Sequence, residues 1–325
     1  MAFYETLQTM KKVVLFLLPL FLWAHPPTWT TPWFTGPLLA PSASTSPRGV
    51  VTWQPYLFVT NSYGVFTQDW GREKTPNTWV IQPLVDITYG LTPFMDIEAT
   101  PAFSYTLREG SSAVRMNDTP LFIGFQVLRD QEGGWMPDLR ITLQQLFPLG
   151  QYDHLNPKKK GTDGSGKGSY RTGINFNFQK IFKIAEEHYF RLRTSCGTFF
   201  YSSPPHIQGL SSYGGASDTN GKIYPGERFD LFVSGEYTIT HQWGFAFDTL
   251  YVLELKDRFT GKRGTTSKGK VAQVGESIRQ QISFAPAVEY NFSENFGIIG
   301  GAWFTLAGQN APQFFTGTLS AVISY

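Results

Sequence analysis

Hydrophobic and polar residues alternate with a period of two along most of this chain. In FMDIEATPAFSYTL (94–107), Met95, Ile97, Phe103, Tyr105 and Leu107 share one face, and Asp96, Glu98, Ser104 and Thr106 the other. RFDLFVSGEYTI (228–239) and IRQQISFAPAVEYNF (278–292) repeat the pattern, and so does the closing QFFTGTLSAVISY (313–325). Each predicts a strand with one apolar face. Similar segments lie near 49–61, 78–90, 119–129, 138–147, 170–182, 187–201, 242–256 and 296–307. The total is about twelve strands, most reaching the ~9–11 residues a tilted membrane strand needs. No helical period of comparable strength interrupts them.

The predicted connections alternate in length. Long ones fall at 62–77, 108–118, 148–169, 202–227 and 257–277, and short ones at 90–94, 130–137, 183–186, 240–242 and 292–296. A barrel with short turns on one rim and long loops on the other gives this rhythm. A soluble sandwich has shorter strands, about 5–6 residues, and no reason to alternate its loops. The expected fold is all-β: an antiparallel up-and-down transmembrane barrel over 49–325, with short periplasmic turns and long extracellular loops.

The alternation also assigns faces. A lipid-facing Arg or Lys at mid-membrane costs about 2–4 kcal/mol, so mid-strand charges should point inward. On that parity lie Asp86, Asp96 and Glu98 early in the chain. Arg140, Arg171, Arg191 and Arg193 occupy three consecutive strands. Asp230, Glu236, Asp248, Glu254, Arg279 and Glu289 follow. The expected lumen has a basic wall facing or flanked by acidic ones, serving either to orient solutes in a pore or to keep the interior solvated. Pro55, Pro83, Pro101 and Pro286 fall on the outer parity, where each missing N–H invites a bulge or gap.

Two hairpins repeat one motif. YTITHQWGFAF (237–247) and YNFSENFGII (290–299) place Tyr237 with Trp243, and Tyr290 with Phe296, outward across a short turn. YGLTPFMDI (89–97) is a looser copy, with Tyr89 outward and Phe94 on the inward parity. With the terminal Tyr325, these residues form a candidate aromatic girdle at a membrane interface.

Composition changes the picture mainly at the start of the chain. Mean hydropathy is -0.19, a value typical of a soluble protein, yet Lys11 and Lys12 precede the apolar run VVLFLLPLFLWA. A charged region, a short apolar core and a small residue read as an export signal over 1–24, cleaved after Ala24, with Met10 as an alternative start. Residues 25–48 are rich in Pro, Ser and Thr and form a periplasmic or plug segment. The net charge of +2 gives no pull toward nucleic acid. Cys196 is the single cysteine, which excludes an internal disulfide.

Catalytic chemistry finds little support. None of the five histidines sits mid-strand, and only His154 or His206 offers a loop base for a lipid hydrolase. No metal-ligand spacing appears, and no cofactor or metal is expected. GTDGSGKG (161–168) imitates a phosphate loop but has Gly168 where Ser or Thr is needed. It reads as a flexible basic loop whose Lys158, Lys159, Lys160 and Lys167 face solvent or lipopolysaccharide. SYGGASDTNG (212–221) reads as a second flexible tip.

At Tyr89-Gly90-Leu91-Thr92-Pro93-Phe94-Met95-Asp96 and Ala307-Gly308-Gln309-Asn310 the chain resembles a known group. It is similar to the outer-membrane transporter family of the meta-pathway of phenol degradation (MetA-pathway type). Pro93-Phe94 replaces a charged turn of that family, and Gln309 stands where Arg is usual. The resemblance implies a channel for small, aromatic or hydrophobic solutes. The competing expectations are a surface barrel whose loops bind host or envelope partners, and an outer-membrane lipid hydrolase.

Overall fold

The computed structural model describes residues 33–131 and 134–325. The predicted signal and the first residues of the 25–48 segment lie outside the described residues. The wall begins with β1 (Val51–Phe66) and β2 (Arg72–Thr92). β3 (Met95–Ala99) and β4 (Phe103–Arg108) form one interrupted stave, and β5 (Ser111–Met116) and β6 (Thr119–Leu128) the next. Then come β7 (Asp138–Phe147), β8 (Arg171–Lys183) and β9 (Tyr189–Tyr201). β10 (His206–Gln208) and β11 (Asn220–Tyr224) leave the wall; β12 (Arg228–Thr238) and β13 (Trp243–Glu254) rejoin it. After β14 (Arg258–Lys262), the wall ends with β15 (Arg279–Ser293), β16 (Phe296–Gln309) and β17 (Pro312–Ser324).

Fourteen strands make one antiparallel sheet that closes because β1 pairs with both β2 and β17. Counted as staves they form a 12-strand barrel. Closure joins the first and last staves, as a sheet in lipid requires, and among the described wall strands leaves only β5 with an unpaired edge. The start of β1 and the end of β17 meet on the short-turn rim, where Val51 N donates to Tyr325 O (2.9 Å) and Tyr325 N to Val51 O (3.1 Å). The faces follow the parity rule and invert those of a soluble protein. Leu319 on the outside is 59% exposed, whereas Glu289 on the inside is 0% exposed.

Two of the four prolines interrupt the ladder. Pro101 separates β3 from β4, and the β15–β16 pairing lapses around Pro286. Pro55 and Pro83 sit in a β1–β2 ladder that stays in register through both.

The long rim departs from expectation. β1 and β2 are joined by 67–71 alone, and β4 and β5 by a two-residue turn. Glu109 (φ 46°) and Gly110 (φ 78°) are both left-handed there, as a type I′ hairpin requires. The stretches 62–77 and 108–118 read as loops because polar runs at 72–77 and 108–112 break the alternation without the strands ending.

The other three long connections are packed rather than flexible. β10, β11 and β14 form a second, three-stranded sheet, and Ile207, Tyr213, Ile223 and Val274 bury a small apolar cluster beside it. Thr162, Ser169 and Thr219 are buried as well. Of the loop lysines, Lys159 Nζ donates to Ser112 O (2.9 Å), Lys160 Nζ to Glu109 O (2.8 Å), and Lys167 Nζ lies 3.4 Å from Glu276 Oε1. Asp257 accepts from Gly226 N and Glu276 N (both 2.9 Å), and burial raises its carboxyl above the usual range. The apolar partners come from segments far apart in sequence, so no local period announced the cluster.

Candidate functional site

The interior is shared between the wall and residues 33–50, which leave the short-turn rim near β15 and cross the lumen to reach β1. Buried backbone N–H groups need acceptors, and a segment outside the ladder has no strand to supply them. Here the wall carboxylates do so. Thr35 N donates to Glu289 Oε2 (2.8 Å), Gly36 N to Glu236 Oε1 (3.1 Å) and Ser46 N to Asp96 Oδ2 (3.0 Å). Asp248 takes two, from Leu39 N and Ala40 N, each at 3.1 Å. Gln126 Oε1 accepts from Thr45 N (2.7 Å), and Ser44 Oγ donates to Asp138 Oδ2 (3.1 Å). Pro37, Pro41 and Pro47 have no N–H to satisfy. The composition that read as irregular thus suits a strap threaded through a polar interior.

The strap is also packed. Leu38 is buried against Ala246, Ala285, Ala287 and Ile299, with Trp303 beside them. The inward alanines make this seat, because larger residues there would fill it. Gly90 allows the closest approach: a Cβ on it would lie 1.9 Å from Pro47 O. The Arg191 guanidinium sits 4.3 Å from the centre of the Phe34 ring.

Arginines fix the carboxylates that hold the strap. Arg191 Nε and Nη2 make a two-point pair with Glu236 (2.5 Å each). Arg140 Nη2 reaches Asp96 Oδ1 (2.7 Å) and Glu98 Oε2 (3.2 Å), while its Nη1 donates to Ser42 O (3.3 Å). Toward the long rim, Arg228 pairs with Asp230 (2.6 Å) and Glu254 (3.3 Å), and Arg279 also pairs with Glu254. Asp86 accepts from Thr100 Oγ1 (3.1 Å).

The expected basic wall is therefore only half ion-paired: Arg140 and Arg191 meet carboxylates, and the other two arginines of that wall do not. Arg193 donates to the neutral Gln179 Oε1 (2.7 Å), and Arg171 lies over the Phe199 ring at 4.8 Å. Between strap and wall is a cavity of about 500 Å³. Asp86, Glu98 and Arg193 line it beside Phe122, Phe199 and Phe232, so charged groups and aromatic rings face the same space.

No protein-family model matches the chain, and no curated protein does. Among solved structures it is similar to an outer membrane channel from Pseudomonas putida F1. The TM-score is 0.68 at 13% identity, covering 88% of this chain and 100% of that one. The CymD monoaromatic hydrocarbon channel (TM-score 0.38, 10% identity, 86% of this chain and 89% of that one) and the NanC porin (0.39, 10%, 82% and 98%) are more distant. The first likeness establishes the fold, a closed antiparallel β-barrel. The two weaker ones carry no argument.

The aromatic residues picked out by sequence gather at the short-turn rim, on the outside. Tyr89 is 39% exposed, Trp243 48% and Tyr325 70%. The Trp243 and Tyr290 rings are 4.8 Å apart, and Tyr237 stacks on His188 at 5.7 Å. Phe292, between Tyr290 (4.7 Å) and Phe296 (4.8 Å), completes the row. Phe94, assigned inward by parity, is 57% exposed, because it sits in the turn itself where parity no longer applies.

Sequence reasoning did not single out Leu38, Gln126 or Asp138. A signal existed for part of this set: small residues at 246, 285 and 287 on an inward face leave a volume that something must fill. The acceptor roles of Gln126 and Asp138 depend on where the strap runs and left no trace in the pattern.

Of the histidines, His188 Nδ1 lies 2.9 Å from Thr238 O, and His154 Nδ1 lies 3.1 Å from Asp153 Oδ2 at the long rim. Among the described residues no cluster of metal-ligating side chains occurs.

Proposed function

We propose that this protein is an outer-membrane channel for small solutes, aromatic ones among them, and that residues 33–50 restrict its lumen. The observation that carries this reading is the means by which the strap is held. Its bonds run mainly to side chains rather than to a strand ladder, so they release singly and without opening the wall. The cavity beside it has the size of a small-molecule site, roughly 300–1,000 Å³. Its mixture of rings and charges suits solutes with an apolar body and a polar group. The resemblance at 89–96 and 307–310 points to the same class, and the similar Pseudomonas putida structure bears the name of a channel. Asp86, Glu98, Arg171 and Arg193 are proposed as pore-lining, and Asp96, Arg140, Arg191, Glu236, Asp248 and Glu289 as residues that set the strap. Arg279 belongs to the mouth at the long rim. The test is deletion of residues 33–46 followed by recording in planar bilayers. Conductance should rise several-fold, and unchanged conductance in a folded barrel would refute the restricting role.

A further inference from the structure

The small sheet on the long-loop rim has two unlike faces. β11 and β14 continue the β12–β13 hairpin in the same register: Arg228 pairs with Glu254, Tyr224 with Arg258, and Asn220 with Lys262. β10 adds a third strand through His206 and Lys222. One face carries Ile207, Ile223 and Phe259, packed with Tyr213, Val274 and Tyr152 of the loops. The opposite face is turned away from those loops. It shows His206, Lys222, Tyr224, Arg258, Thr260 and Lys262, with no carboxylate among its strand residues.

Lys222 lies opposite Thr260, with Arg258 and Lys262 on the diagonals of the same face. Residues on diagonals are within reach of one ligand. Only Lys262 is paired, with Asp218 Oδ2 at 2.9 Å, and its side chain remains 66% exposed. Arg258 lies over the Tyr224 ring at 5.8 Å. Lys256, Arg263, Lys268 and Lys270, in the segments flanking β14, are exposed as well. By contrast, Lys159, Lys160 and Lys167 on the other basic loop are tied to protein acceptors.

We infer that this face docks the phosphorylated head groups of outer-leaflet lipopolysaccharide. Lys222 and Arg258, which meet no carboxylate, stand beside the exposed Lys262 on one packed sheet, a spacing that matches neighbouring phosphates, and the rim that carries them is the long-loop one. The inference rests on the outer-membrane placement proposed above but not on conduction through the lumen.

The test uses the full chain in detergent and measures binding of bisphosphorylated lipid A, its dephosphorylated form, and phosphatidylglycerol vesicles. The wild-type protein should prefer phosphorylated lipid A. Lys222→Glu with Arg258→Glu should weaken that binding by about tenfold or more, since each cation near an anionic surface contributes measurably. Lys158→Glu with Lys160→Glu should leave it unchanged. The neutral pair Lys222→Gln with Arg258→Gln, expected to lose about threefold, is the second variant should charge reversal impair folding. Equal binding of the dephosphorylated form, a preference for phosphatidylglycerol, or equal losses in both loop pairs would overturn the assignment. Conductance is not part of the readout, so the channel reading and this one fail separately.

Discussion

Asp248 accepts two strap amides and the Ser234 hydroxyl (2.6 Å), so one carboxylate serves three donors. Glu236 joins the same logic to a charge pair, meeting Arg191 on the wall and Gly36 on the strap. Removing one partner of such a pair leaves an uncompensated buried charge. Arg191→Ala should therefore destabilise the barrel by about 3–5 kcal/mol, read from guanidinium unfolding in detergent, with Glu236→Gln added to the variant restoring part of the loss. Arg193 gives the contrast. Its partner is the neutral Gln179, so Arg193→Ala should cost clearly less. The same change should shift ion selectivity toward cations, because it deletes a cavity-lining positive group that makes no direct ion pair. Reversal potentials measured across a salt gradient check this, and identical selectivity would remove Arg193 from the conduction path.

The strap is an element without secondary structure, and its order comes from what surrounds it. Residues 25–48 read as irregular because Pro, Ser and Thr give no period. The described part, residues 33–48, forms no helix or ladder strand and makes one bridge to the wall, between Arg48 and Gly90. Composition could not say that the segment lies inside, because the acceptors belong to strands up to 256 residues away. Gly90 is the tightest point of contact. Gly90→Ala should drive Pro47 off the wall and loosen the end of the strap near β1. The expected result is larger or more frequent open bursts in single-channel records, with heat-modifiability of the folded barrel retained. A silent variant would show that the strap yields locally without opening the lumen. The hairpins at 62–77 and 108–118 teach the reverse lesson. There the ladder persists where the hydrophobic pattern fades, since hydrogen bonding between strands does not need an apolar face.

At the scale of the molecule, one rim is marked by rings and the other by a packed cap. Tyr237, Trp243, Tyr290, Phe296, Tyr89 and Tyr325 should lie at the boundary between headgroups and hydrocarbon. Spin labels at Trp243→Cys and Leu231→Cys, in a Cys196→Ala background, test this. The label at 243 should report interfacial depth and that at 231 a deeper position, and equal depths would dissolve the girdle. The sequence by itself determined the barrel, its strand parity and the inward placement of Asp96, Arg140, Arg191, Glu236, Asp248 and Glu289. These follow from a local rule: successive side chains on a strand point to opposite sides, and only one side tolerates charge. The tertiary structure alone decided which acids meet which arginines, where the strap runs, and how three distant loops share one apolar cluster. Those contacts join segments far apart along the chain, and no period within a segment records its partner.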